Sequence, residues 1–160
     1  MAFATYTEAA TKLRDFLRDK QALNILDGVE ESTDTDLIDY IKSALIDINN
    51  TGVIKTTFGL ADIIVDPEDG GIIPWTLVKL GATLEYLTSA GILGARNTLT
   101  YSDAGGEQVS DMDRWGRYIN YFNTLVAKYT NGVQQFKGRL NFTAGYGGVN
   151  SPMQYDSWSL

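Results

Sequence analysis

"SDMDRWGRYINYFNTLVAKYTNGVQQFKGRLN", residues 110–141, decides the fold class of this chain. Trp115, Tyr118, Ile119, Phe122, Leu125, Val126, Tyr129, Val133, Phe136 and Leu140 recur at steps of three and four, the spacing of one helical face. Ser110 with Asp113 three residues on resembles a capping box, Asp taking the Glu/Gln role. About 30 residues of this pattern give a helix of roughly 45 Å, with Asn131-Gly132 as the point where it would kink or divide. The aromatic stripe reads as core packing. Interleaved bases (Arg114, Arg117, Lys128, Lys137, Arg139) are too few for a nucleic-acid stacking platform.

Three further helices precede it. One is expected from Thr7 to about Lys20, with Glu8 in its first turn and Leu13, Phe16 and Leu17 on one face. The next runs from Asp34 to Asn50, with Leu37, Ile41, Ala44, Leu45 and Ile48 at helical spacing and Asn49-Asn50-Thr51-Gly52 as its stop. The third, "PWTLVKLGATLEYLTSAGILGARN" (74–97), opens with Pro74 at a first helical position. It is apolar nearly all round, so it is expected to be buried, by its own domain or by a neighbouring subunit, and is read as the central helix of the core. Its small residues (Gly81, Ala82, Ala90, Gly91, Gly94, Ala95) permit close approach of another helix.

Between the second and third helices, Ile63, Ile64 and Val65 favour extended backbone, and Asp66-Pro67-Glu68-Asp69-Gly70-Gly71 is a turn by composition. That segment reads as a loop with short extended or helical pieces. Thr98 to Val109, with Asp103-Ala104-Gly105-Gly106, reads as a short β-hairpin or ordered loop. The fold class is therefore mainly α: a bundle of about four helices over residues 1–140, followed by an extended Gly/aromatic arm at 141–160. The arm's Phe142, Tyr146, Met153, Tyr155 and Trp158 are candidate partner-binding anchors, since large aromatics dominate interfaces. Its alternative is to fold back on its own bundle.

Composition narrows the chemistry. The 160 residues include no cysteine and no histidine. Thiolate chemistry and every Ser–His or Cys–His nucleophile pair are thereby excluded, and no catalytic, cofactor or metal residues are assigned. No apolar run reaches the length of about 18 residues that a membrane span needs. The net charge of −7 is uneven. Residues 1–52 hold five basic and ten acidic groups, whereas 101–160 hold five of each. Glu30, Glu31, Asp34, Asp36 and Asp39 crowd the start of the second helix, where acids favour the positive end of the helix dipole. They lack the alternating pattern of a calcium loop.

The segment from Gly94 to Asn141 and beyond has a characteristic layout. An apolar Gly/Ala-containing helix leads to a "YSD-x-G-G" turn, then "VS", then a long helix with tyrosines at helical spacing. A Lys-x-x-x-Asn exit opens into the Gly-rich "GYGGVNSP". Over about residues 74–155 this resembles the head–tail connector (adaptor or neck) proteins of tailed bacteriophages. The resemblance implies a non-enzymatic virion protein, made in the host cytoplasm, that assembles as a ring, commonly twelve-fold. Such a ring contacts the portal protein above and tail, stopper or collar proteins below, with DNA as non-specific cargo in its channel. It also implies a role for the five acids as channel-facing carboxylates that repel phosphate. Two other classes stay open at this point: a generic helical adaptor or regulator unrelated to phage, and a hydrolase working through two carboxylates.

Overall fold

The computed structural model describes residues 3–19, 32–52, 55–65, 71–96 and 112–145. Four helices account for most of them: α1 Tyr6–Leu17, α2 Asp34–Asn50, α3 Trp75–Arg96 and α4 Met112–Gly145. Two short strands, β1 Ile63–Ile64 and β2 Ile73–Pro74, pair in parallel with Ile63 opposite Ile73. The chain is thus mainly α, as the periodicity predicts.

α1 starts one residue earlier than expected and stops at Leu17, not Lys20. The reason lies in Glu8. It is three residues beyond Thr5, so Thr5 is the cap. The Thr5 hydroxyl accepts from the Glu8 N–H at 3.2 Å, and the Glu8 carboxylate accepts from the Ala4 N–H at 3.1 Å. At the far end Arg18 adopts a left-handed conformation (φ 58°) that ends the helix.

α2 has the bounds its pattern predicts. Thr33 and Asp36 form a reciprocal capping box: the Thr33 hydroxyl accepts from the Asp36 N–H, and the Asp36 carboxylate from the Thr33 N–H. Leu37, Ile41, Ala44, Leu45 and Ile48 are all buried against α1 and α3. The amide of Asn49 then holds the following loop. It donates to the Phe58 carbonyl and accepts from the Phe58 N–H and the Thr56 hydroxyl, each at 2.9 Å.

That loop passes through a single 3-10 turn, Leu60–Asp62, into β1. Parallel pairing with β2 was not foreseeable from two-residue strands. Gly71 makes it possible, since a Cβ there would lie 2.7 Å from the Asp62 carbonyl oxygen. Pro74 belongs to β2, and α3 begins at Trp75. A proline at the end of an edge strand removes no ladder hydrogen bond that the pair needs.

α3 is central in its first half only. Leu77, Val78, Ala82 and Thr83 are buried, and the helix touches α1, α2, α4 and β2. Gly81 admits two neighbours at once: a Cβ there would stand 2.8 Å from the Ala44 Cβ and 2.9 Å from the Tyr129 ring. Beyond it the helix emerges, and Ile92 is 55% exposed. There, among the described residues, α4 is the helix that runs alongside, through Tyr118 against Leu87 and Gly91, so the bundle itself covers this half only in part.

α4 is continuous across Asn131-Gly132. The glycine serves packing here, since its Cβ position would lie 2.6 Å from a Leu77 methyl. The helix also runs on through 141–145, so those residues extend it rather than open the arm. The expected aromatic stripe is split. Leu125, Tyr129 and Val133 are buried and Phe136 packs partly against the core, but Ile119 and Val126 remain exposed at its edge. The expected hairpin or loop at 98–109 lies outside the described residues.

Candidate interaction surface

Polar side chains tie the described elements together at four places. In the first, Arg14 of α1 donates to the Asp19 carboxylate (3.2 Å), to the Ser32 carbonyl (2.8 Å) and to the Asp34 carboxylate (2.8 Å). Asp19, its side chain only 2% exposed, also accepts from the Ser32 N–H at 3.0 Å. Asp19, Ser32 and Asp34 are thus gathered by one guanidinium, the side chain whose fork suits several acceptors at once.

In the second, the Tyr129 hydroxyl of α4 donates to the Asp47 carboxylate of α2 at 2.7 Å. Burial, followed by that carboxylate, pushes the phenol well above its usual range. In the third, Lys137 of α4 enters at the C-terminal end of α2. Its ammonium donates to the Thr56 hydroxyl (2.6 Å) and the Asn49 carbonyl (3.4 Å) and lies 5.7 Å from the Phe58 ring centre. A cation suits the negative end of a helix. Desolvation, and then the nearby Lys55 charge, lowers its pKa. The sequence pattern counted Lys137 among the interleaved surface bases. Its burial is legible only once α4 is seen crossing the end of α2. Tyr118 adds a fourth tie, donating to the Leu87 carbonyl of α3.

The three described acids of the five have different partners. Asp34 is engaged by Arg14, and Asp36 by Thr33, whose hydroxyl and then backbone hydrogen bonds hold the Asp36 carboxyl below its ordinary value. Asp39 makes an exposed ion pair with Lys42 at 3.4 Å, a geometry of small energetic weight. Asp36 and Asp39 project from α2 on its solvent side. Glu30 and Glu31 lie outside the described residues. So do Tyr146, Met153, Tyr155 and Trp158 of the arm. Phe142, the remaining arm anchor, sits in the last turn of α4 and is 65% exposed.

Among the described residues there is no group of three side chains able to hold a metal ion, and no helix long and apolar enough to cross a membrane. A shallow concavity is lined by Gln135, Gly138, Arg139, Phe142 and Thr143, all on α4. Its described lining all comes from one face of that helix. The most distinctive surface is therefore α4 itself. Of the exposed large apolar side chains, Ile119, Tyr121, Val126 and Phe142 all belong to it.

No family model matches this chain, and neither a curated protein nor a solved structure is similar to it. What stands is the class its own fold defines, a mainly helical bundle with one long helix only partly covered.

Proposed function

We propose that this chain is a structural assembly protein of a tailed-phage virion, a head–tail connector that joins copies of itself into a ring beneath the portal. The ring links the portal to tail or stopper proteins, and DNA passes through its centre. The layout of residues 74–155 supplies the family reading. The observation that carries the assembly role is the uncovered length of α4. The helix rises through about 51 Å over 34 residues, and among its described side chains (118–143) one line packs on the bundle while four large apolar groups stay exposed. Ile119 and Val126, seven residues apart, share one side of the helix, while Tyr121 and Phe142 lie on others, so α4 offers apolar contacts on more than one side to neighbouring subunits. With neither histidine nor cysteine in the chain, recognition is a better use of this surface than nucleophilic chemistry.

The test is electron microscopy of particles labelled with an antibody to this chain. Label at the vertex between head and tail is expected. Label spread over the capsid, or absent from particles, contradicts the reading.

A further inference from the structure

The two helices that frame the bundle carry opposite charge. α2 holds four acids and one lysine, whereas α4 holds one acid, Asp113, and five bases. The bases of α4 divide by position. Lys137 is buried at the end of α2, while Lys128 and Arg139 are exposed. Tyr121, Lys128 and Gln135 fall seven residues apart and all are exposed, Tyr121 at 54%. They form a second line along α4, roughly 100° round from the buried Leu125–Tyr129–Val133 line. A heptad-spaced line is the geometry by which one helix lies along another.

The chain itself offers a surface that complements it. On the side of α2 away from the core, Asp39 and Ile46 are also seven residues apart, and Ile46 is 59% exposed. On each helix, then, a charged and an apolar residue stand about 10.5 Å apart along the axis. Laid antiparallel, Asp39 meets Lys128 while Ile46 meets Tyr121. Within one molecule these pairs cannot form, because α4 already meets α2 by its other line, through Tyr129 and Asp47.

We infer that the outer line of α4 docks on the outer face of α2 of a second copy, with Lys128 against Asp39 and Tyr121 against Ile46. The contact joins two different surfaces, so each copy has both ends free to continue the series. This rests on the assembly reading above and gives it a seam. It also assigns Asp39 to the join between copies and not to a channel wall. Its existing pair with Lys42 is a weak exposed one and does not compete with a desolvated partner. A polyanion is the other class that could cover Lys128 and Arg139, and a chain of net charge −7 repels one at long range.

The experiment is sedimentation velocity and native mass spectrometry on the full chain, with Lys128→Glu, Asp39→Lys and an equimolar mixture of the two. Both sites are exposed, so circular dichroism is expected to be unchanged. Wild type should associate beyond a dimer. Each variant alone should associate at least about tenfold more weakly, since like charges face each other. The mixture should recover association, because the carboxylate introduced in Lys128→Glu then faces the ammonium introduced in Asp39→Lys. Recovery in the mixture alone establishes the seam. If both variants associate like wild type, this seam is wrong and the assembly reading stands without it. A wild type that stays monomeric in solution and is missing from particles overturns both. Loss of binding to a duplex DNA probe in Lys128→Glu, with sedimentation unchanged, overturns the seam in favour of a polyanion site.

Discussion

Gly132 and Gly138 lie six residues apart on one helix and have opposite surroundings. A Cβ at Gly132 would press on a Leu77 methyl at 2.6 Å, whereas a Cβ at Gly138 would meet nothing within 4 Å. The same contrast separates the two lines of α4. The inner line is packed and locked: Tyr129 to Asp47, Lys137 to Thr56 and Asn49, Gly132 to Leu77. The outer line, with Tyr121, Lys128 and Arg139, is open. One helix thus does two jobs. Its inner line helps hold the bundle together, and its outer line is left exposed by the described residues.

Substitutions on the two lines should therefore move different observables. The largest effect on stability is expected where two helices and a ring converge. Gly81→Val forces a branched side chain between Ala44 and Tyr129 and should cost about 3 kcal/mol, read as a lower midpoint in urea unfolding. Tyr129→Phe should cost less, about 1–2 kcal/mol, by removing the hydroxyl bonded to Asp47.

The same substitution has a pH signature. The folded state raises the Tyr129 pKa above the ordinary phenol value of 10.0. Its stabilisation is complete below that value and is lost as the pH rises past it, because the unfolded chain releases the phenolic proton first. Wild type should lose stability through that alkaline range more steeply than Tyr129→Phe. Equal slopes in denaturant titrations across the range would break the assignment.

The outer line should behave in the opposite way. Gly138→Ala adds helix propensity without a clash and should stabilise the isolated chain by up to about 1 kcal/mol. A loss of stability would show that something does pack there. Smallest of all, Lys128→Glu should leave the unfolding midpoint within about 0.5 kcal/mol of wild type, as an exposed site away from the locks does.

Much of the fold was legible from periodicity. The bounds of α2 follow from its helical spacing and its Asn-Asn-Thr-Gly stop, and its core positions from the same spacing, whereas its Thr33–Asp36 capping box emerged only in the structure. The reading was weaker wherever an outcome depends on tertiary approach. Asn131-Gly132 looks like a break because glycine weakens helices, yet the helix is continuous and the glycine seats Leu77. Lys137 looks like a surface base because lysine is rarely buried, yet carbonyl and hydroxyl acceptors at the end of α2 enclose it. The parallel β1–β2 pair joins strands too short to carry a pattern. Of the acids grouped by sequence, Asp34 and Asp36 have local structural work, and adjacency along the chain could not separate them from Asp39.

The absence of cysteine permits a direct test of the two-line account. Asp39→Cys and Lys128→Cys, placed together in one chain and oxidised, would be read on a non-reducing gel. A disulfide needs Cα atoms within about 7 Å, so it forms only if the outer line of α4 reaches α2 of another copy. The account predicts a ladder of covalent oligomers from the double variant and none from Asp39→Cys or Lys128→Cys alone. A double variant that stays monomeric, or a single variant that cross-links as efficiently, would contradict it.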